Sequence, residues 1–547
     1  MDSDEVSLTY GELDARANQV ARYLRLHGAG AGDRIGLLFD RPTDSYVAML
    51  AVLKIGAAYV PMDVGFPAER TAYIVNDAQV RTVLTMSHLT DQVPRTELLT
   101  ASGAELVHLD EAAPLIDEQN SRRLIDAERG ILDNQLAYII YAPDAHGRPR
   151  GVAVDHPSIC NFVKAAAEVY GIRPRDRVYQ GLSLAFDFSV QETWLPWFRG
   201  ATLVPKPAGP NLVGQALHQF LTKHRVTAMC TIPSLLATLE DDLPGLRFLL
   251  VSGEACPPDL VARWHKAGRR FVNAYGPSEA TVTTAWTELD PDKPTTLGVP
   301  LPTYNTVILD LEDPYRALPH GQIGEIGIAG IGLARGYVNR ADLTETAFIP
   351  DFLGIPGNPS GRIYRAGDLG RVTIDEQLEY HGRIDPTATR RGYRSELAEI
   401  ESALLRVPEI AQALSDLVEA PPRPDSQVVP MPATELELAA VLAEVLGVER
   451  VSVDGHFFAE LGADSMLMAR FCARVRRRAD LPSVSMKDIY AHSTIRSLAT
   501  ALAVPPLAEQ GAACAELELA TVLAEVLDVE RVSVDVTSSP TSVLTRW

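Results

Sequence analysis

Two hydrophobic patterns alternate along residues 1–380. ARANQVARYLRLHG (15–28) has the spacing of an amphipathic helix, whereas RIGLLF (34–39) and ATLVPK (201–206) are short apolar runs typical of buried strands. This alternation predicts an α/β domain whose sheets are largely parallel. Since 46% of the 547 residues are hydrophobic, most of the chain can bury a core. Its length favours roughly two to four domains.

The pattern changes after residue 415. Residues 416–433 are rich in proline and polar side chains and predict a linker. Residues 434–503 contain amphipathic segments such as LELAAVLAEVLGV and predict a small helical bundle. The segment 435–454 recurs at 516–535 with only Ala440/Thr521 and Gly447/Asp528 changed, and the match then stops. We interpret residues 504–547 as a tail with a partial repeat.

Charge and cysteine content exclude several classes of protein. The chain has 71 Asp and Glu against 50 Lys and Arg, a net charge of −21, which argues against nucleic acid or an anionic membrane as the main partner. The cysteines are scattered without CxxC spacing, so we interpret them as reduced thiols of a cytoplasmic protein. The acidic N-terminus lacks the apolar core of a signal peptide, and no apolar run is long enough to predict a membrane span.

A series of short motifs constrains the function more closely. They are LTYGEL (8–13), LKIGAAYVPMD (53–63), FDFS (186–189), NAYGPSEATV (273–282), GEIGIAGIGLARGYV (324–338), YRAGDL (364–369) and GRID (382–385). In this order and spacing they resemble the motifs of nonribosomal peptide synthetase adenylation domains, which belong to the acyl-adenylate-forming (AMP-binding) superfamily. The resemblance implies the α/β fold of those enzymes, with a large N-terminal region at 1–384 and a truncated small C-terminal subdomain at 385–415.

The resemblance also implies roles for individual residues. Asp187 matches the carboxylate that pairs with the substrate α-ammonium, an interaction that orients strongly. Glu279 matches the ligand of Mg²⁺, a cation that requires oxygen donors. Asp368 matches the acid that binds the ribose hydroxyls of ATP, and Arg383 would act with Glu279 in catalysis by neutralising phosphate charge. The other nucleotide-binding candidates are Gly147, Arg148, Arg150, Tyr275 and Tyr380.

Each acidic assignment has a structural alternative. Asp187 could instead cap a helix, and Glu279 could be a surface residue. By register with the family, the substrate pocket is lined by Phe188, Gln191, Cys230, Leu250, Ser252, Ala274, Val282 and Thr283. This set predicts a mildly polar pocket, and it contains no second carboxylate that would demand a basic substrate side chain.

The segment FFAELGADSM (457–466) resembles the attachment motif of peptidyl-carrier domains, most closely those of poly-lysine-type synthetases. The resemblance implies a four-helix acyl-carrier-like bundle at 434–503, with 4′-phosphopantetheine attached to Ser465 by a phosphopantetheinyl transferase. Ser465 precedes a helical run, and a phosphodiester at a helix N-terminus meets free N–H groups and a favourable dipole. A serine that only caps the helix is the alternative.

Three departures from the family bear on activity. The phosphate loop carries Pro143 and Asp144 where the family has hydroxyl residues and glycine, although Arg148 and Arg150 retain positive charge. Each charge-assisted hydrogen bond lost costs about 1.5–3 kcal/mol. Beyond the hinge at Asp385, threonines replace the family's Gln and Lys. The small subdomain is short, and its terminal catalytic lysine is missing.

Three hypotheses follow from the sequence. The first is an enzyme that activates an amino acid with ATP and Mg²⁺ and loads it on the carrier, with condensation domains or other synthetase modules as partners. The second is a synthetase remnant with weak or no adenylation that acts as a carrier or interaction module, as the altered loop favours. The third, an acyl-CoA ligase, is disfavoured by Asp187 and the fused carrier.

Overall fold

The computed structural model describes residues 1, 7–92, 103–130, 135–142, 149–209, 212–384, 433–446, 451–453 and 494–503, and single residues at 457, 471, 474, 475, 478 and 484. The chain forms two compact units, Met1–Glu419 and Ala420–Trp547. The predicted subdomain (385–415), linker and tail lie outside the described residues, so the domain boundaries remain predictions.

The first unit contains strands in three sheets. In chain order they are β1 Arg34–Leu38, β2 Ala58–Met62, β3 Thr82–Thr85, β4 Glu105–His108, β5 Leu136–Ala142, β6 Arg150–Asp155, β7 Arg177–Gln180, β8 Thr202–Pro205, β9 Ala228–Thr231, β10 Phe248–Ser252, β11 Arg270–Tyr275, β12 Ala285–Glu288, β13 Val299–Pro300, β14 Tyr304–Leu309, β15 Gly324–Gly330, β16 Gly336–Tyr337, β17 Phe348–Pro350, β18 Arg362–Val372 and β19 Leu378–Arg383.

Helices connect many of these strands. They are α1 Tyr10–Leu26, α2 Pro42–Lys54, α3 Ala68–Asp77, α4 Ala113–Asp117, α5 Asp126–Arg129, α6 His156–Tyr170, α7 Phe188–Arg199, α8 Gly214–Lys223, α9 Pro233–Ala237, α10 Pro258–Trp264 and α11 Ala341–Ala347. The first sequence motif, LTYGEL, marks the start of α1, because Thr9 and Glu12 form a capping box there. None of the described helices combines the length and apolarity needed to cross a bilayer.

The sheets confirm the α/β class and add an antiparallel part. The first sheet has the order β16-β6-β5-β2-β1-β3-β4, and the second has the order β13-β12-β11-β10-β9-β7-β8. Helix-linked strands in both sheets pair in parallel, as between β1 and β2 and between β9 and β10. The third sheet, β14-β15-β18-β17 with β19 on β18, has antiparallel pairings. Most of its strands follow one another without a helix, which permits antiparallel pairing.

The second unit contains α12 Ala433–Leu446 and α13 Ile495–Ala503 among its described parts. Both helices contribute to one apolar core, whose buried members are Leu438, Val441, Leu442, Phe457, Phe471, Val475, Val484, Ile495, Leu498 and Ala499. The rings of Phe457 and Phe471 pack with centroids 6.4 Å apart. A core shared by distant segments is what the bundle prediction requires. The predicted attachment residue, Ser465, lies outside the described residues.

Candidate active site

Asp187 begins α7 without capping it. Its side chain makes no capping hydrogen bond to the described helix, and the residue is only 8% exposed. Ser278 Oγ donates a hydrogen bond of 2.6 Å to Asp187 Oδ2. The capping alternative therefore does not describe this residue. A buried carboxylate, oriented by a neighbouring hydroxyl, is the arrangement expected for holding an ammonium group.

Ser278 also connects Asp187 to the second predicted acid, because Glu279 is the next residue in the chain. Glu279 lies in a short 3₁₀ turn and is 4% exposed, which contradicts the surface alternative. Tyr337 Oη donates a hydrogen bond of 2.7 Å to Glu279 Oε1. Burial, followed by the charge of Glu279, raises the pKa of Tyr337, so this phenol stays protonated and able to donate.

The other carboxylate oxygen of Glu279 is available for a cation. Oε2 is buried and has no hydrogen-bond partner among the described residues. An unpaired buried carboxylate oxygen is costly unless a ligand satisfies it. Mg²⁺ is commonly bound by one or two carboxylates together with substrate phosphates. No group of three or more His, Cys, Asp or Glu side chains within the described ranges could hold a metal ion. The unpaired Oε2 of Glu279 is compatible with this role, which stays a prediction.

The turn that carries Glu279 is fixed by close packing. Thr281 and Val282 have positive φ angles of 60° and 70°, a conformation that costs about 1–3 kcal/mol for residues other than glycine. A Cβ at Gly276 would lie 2.5 Å from the Thr283 Cα, so only glycine fits there. Thr281 Oγ1 donates to the Gly332 carbonyl at 2.7 Å. These constraints hold the turn between Asp187 and the GIGLARGYV segment.

A second cluster joins two of the predicted nucleotide-binding residues, Asp368 and Tyr275, to the predicted catalytic residue Arg383. Asp368 is 4% exposed, and its Oδ2 accepts a hydrogen bond of 2.5 Å from Tyr275 Oη. Its Oδ1 accepts one of 2.5 Å from Arg383 Nη1. A carboxylate has about four lone-pair sites, so Asp368 retains acceptor capacity for ribose hydroxyls. Here the guanidinium of Arg383 pairs with Asp368. Tyr380, on the same strand as Arg383, is 42% exposed.

Arg150 links the phosphate loop to the Glu279 turn. Its guanidinium lies 5.0 Å from the centroid of the Tyr337 ring, the same ring whose hydroxyl bonds Glu279. A positive charge is therefore held close to the predicted magnesium ligand. The other predicted loop residues, Gly147 and Arg148, and the substituted Pro143 and Asp144 lie outside the described residues.

The predicted pocket residues come together on adjoining elements. In the register of the second sheet, Cys230 pairs with Leu250 and Ser252 pairs with Ala274. Because alternate residues share a face, these four side chains project on the same side of the sheet. The remaining positions are on α7 and the Glu279 turn. Thr283 Oγ1 donates to Gln191 Oε1 at 3.3 Å. All eight are buried, namely Phe188, Gln191, Cys230, Leu250, Ser252, Ala274, Val282 and Thr283.

Glu192 is a buried acid that the sequence motifs did not indicate, because it is not a pocket position of the family register. Burial raises its pKa to about 8. The Gln180 side chain and the Leu182 N–H each donate to Oε2 at 3.1 Å, whereas Oε1 has no partner in the part of the chain that the structure describes. Burial and then Glu192 raise the pKa of the Cys230 thiol well above its usual value. The one signal in the sequence that could have indicated this buried acid is the position of Glu192 among the apolar residues of α7.

The raised pKa of Glu192 predicts a pH-dependent stability. The folded chain holds this proton up to about pH 8, whereas the unfolded chain releases it near the usual value of 4.5. Between these pH values, unfolding therefore releases a proton. As the pH rises, this group lowers the free energy of unfolding by at most about 1.4 kcal/mol per pH unit. Thermal unfolding at pH 5 to 9 should show Glu192→Gln gaining stability relative to wild type toward pH 8. A difference that does not change with pH would contradict the prediction.

Comparisons with known proteins follow the same division of the chain. The AMP-binding enzyme family matches residues 1–338, and the phosphopantetheine attachment site family matches residues 437–502. One component of the linear gramicidin synthase of Brevibacillus parabrevis is 34% identical over 568 residues, which cover 91% of this chain and 7% of that protein. This chain thus spans a small part of that relative's length.

Two further relatives support the assignment. Novobiocin biosynthesis protein H of Streptomyces niveus is 38% identical over 439 residues, covering 78% of this chain and 71% of that protein. A crystal structure of the nonribosomal peptide synthetase FmoA3 superposes with a TM-score of 0.61 at 27% identity, covering 92% of this chain and 48% of that one. The chain therefore belongs to the AMP-binding enzymes, and it joins an adenylation domain of the nonribosomal peptide synthetase type to a carrier domain with a phosphopantetheine attachment site.

Proposed function

We propose that this chain activates an α-amino acid with ATP and loads it onto its own carrier domain. The observation that carries the proposal is the connection of two acids through one turn. Ser278 bonds Asp187, and the adjacent Glu279 keeps a buried oxygen that no described residue satisfies. One acid would hold the substrate ammonium while the other holds Mg²⁺ at the phosphates. An α-amino acid and a nucleotide would then meet at this turn.

The reaction would proceed in two displacements. The substrate carboxylate oxygen attacks the α-phosphorus of ATP, the bond to the bridging oxygen breaks, and pyrophosphate leaves. Asp187 orients the amino acid, Asp368 positions the ribose, and Arg150 adds positive charge near the phosphates. Bound at Glu279, Mg²⁺ supplies Lewis-acid stabilisation of the phosphate charge. The phosphopantetheine thiol on Ser465 would then accept the acyl group as AMP departs.

The proposed partners follow from these two steps. A phosphopantetheinyl transferase would install the arm on Ser465, and other synthetase modules, such as condensation domains, would receive the acyl group. We propose that the chain acts in the cytoplasm, where its cysteines would remain reduced thiols.

Intact-mass spectrometry of the full chain tests the proposal directly. The protein is first treated with a phosphopantetheinyl transferase and coenzyme A, and then with ATP, Mg²⁺ and a mixture of amino acids. The proposal expects the mass of the arm, followed by an ATP-dependent aminoacyl increment. Ser465→Ala, which lacks the acceptor hydroxyl, is the control and should show neither. An arm without any aminoacyl increment would favour the remnant hypothesis.

A further inference from the structure

The predicted substrate pocket includes a polar side chain whose hydrogen bonds are incomplete. Gln191 is 0% exposed, and its Oε1 accepts the hydrogen bond from Thr283 Oγ1. In this structure the oxygen of the amide faces Thr283. The amide nitrogen, Nε2, is buried and has no partner within the described ranges. Two N–H donors are therefore left for a ligand.

Tyr170, the last residue of α6, provides a second buried polar group near Thr283. Its hydroxyl is fully buried, and no described residue meets hydrogen-bond geometry with it. The Thr283 side chain nevertheless interacts with this hydroxyl and partly offsets the increase that burial causes in the pKa of Tyr170. Gln191 and Tyr170 thus lie around one threonine, and the clearly unsatisfied donors are those of Gln191 Nε2. Buried donors of this kind are costly unless they are paired.

Of the charged groups near these donors, Asp187 is assigned to the α-ammonium and Arg270 is paired with Glu288, and the other two titratable groups are mainly neutral near neutral pH. The raised pKa of the Cys230 thiol keeps it protonated, and Glu192, with a pKa of about 8, is mainly neutral at pH 7. Leu250 and Ala274 contribute apolar surface. A charged substrate side chain would lose its hydration here without an opposite charge to replace it.

From this arrangement we infer that the substrate is an α-amino acid whose uncharged side chain carries a hydrogen-bond-accepting oxygen, as a hydroxyl or an amide. The inference rests on the proposed function, and it specifies the class of substrate at the same site. The oxygen would accept a hydrogen bond from Gln191 Nε2 and thereby satisfy a buried donor. An apolar side chain of the same shape would leave that donor unpaired, and sites built this way discriminate against such analogues.

Matched pairs of amino acids test the inference. The kcat/KM for adenylate formation is measured by pyrophosphate release with threonine and valine, and with asparagine and leucine. We expect the oxygen-bearing member of at least one pair to be preferred by roughly 10- to 100-fold in the wild type. Gln191→Leu removes the donors at similar volume, and most of that preference should disappear. Glu240→Gln, an exposed substitution outside the pocket, should retain it.

Calorimetric binding of the same pairs separates this inference from the proposed activity. Protein that binds the oxygen-bearing member preferentially but forms no adenylate would support the pocket inference and overturn the activity. Adenylation that prefers the apolar members would overturn the inference and leave the activity standing. A preference for ornithine or diaminobutyrate would also overturn the inference and leave the activity standing, and it would indicate Glu192 as the counter-ion of the substrate side chain. Equal binding and equal rates within both pairs would also overturn the inference.

Discussion

Replacing Glu279 by glutamine should lower the rate of amino-acid-dependent adenylate formation by roughly 10²–10³-fold, because it removes the charge proposed to hold Mg²⁺ at the phosphates. Glutamine keeps an oxygen for the 2.7 Å hydrogen bond from Tyr337, so the turn should remain folded. The amide cannot replace the anionic Oε2, which is buried and unpaired among the described residues. The rate is measured with saturating amino acid over a series of Mg²⁺ concentrations.

The series of Mg²⁺ concentrations distinguishes a loss of metal binding from other causes of a lower rate. Glu279→Gln should need more Mg²⁺ for half-maximal rate, whereas Glu240→Gln, at an exposed position, should follow the wild type. Thermal unfolding of both variants shows whether the fold is retained. Wild-type rates in a folded Glu279→Gln protein would exclude this residue as the metal ligand.

Asp187→Asn should lower kcat/KM for the amino acid by roughly 10- to 150-fold, the range expected when a charge-assisted hydrogen bond is lost. Asparagine still offers an oxygen to Ser278 Oγ, which donates at 2.6 Å in the wild type, so the shape of the site should persist. The change removes only the negative charge that is proposed to face the ammonium group. The effect is measured as kcat/KM with the preferred amino acid.

A substrate analogue provides the matched control for Asp187. The corresponding carboxylic acid without the α-amino group has no ammonium to bind, so its poor rate should be the same in wild type and Asp187→Asn. The variant should therefore lose the discrimination between amino acid and analogue. If both compounds lost rate equally, Asp187 would have a structural role and not the proposed one.

The sequence was sufficient to predict elements and motif positions because these depend on local patterns. Helix and strand alternation predicted the α/β class, and the resemblance of the motifs to adenylation domains implied that Asp187 and Glu279 belong to one site. The partners of these acids, Ser278 and Tyr337, were not predicted as such, since each contact joins residues far apart in the chain. The antiparallel third sheet also depends on pairing between strands, which hydrophobic periodicity does not specify.

Burial explains the other differences between expectation and structure. Glutamate is usually found at the surface, but Glu192 lies on the buried face of α7, where burial raises its pKa to about 8. The catalytic role of Arg383 stays a prediction, and the pairing of β18 with β19 places this residue opposite Asp368, a contact that was not predicted. Such effects arise from tertiary packing, so one sequence cannot reveal them.

Amino-acid-dependent exchange between ATP and pyrophosphate most directly tests whether this site activates amino acids despite its altered phosphate loop. The wild type is assayed with each proteinogenic amino acid, ornithine and diaminobutyrate, beside Glu279→Gln. We expect exchange with one amino acid or a few related ones, lost in the variant. A flat profile from protein shown to be folded would contradict the account, and the motifs would then record only the ancestry of a carrier protein.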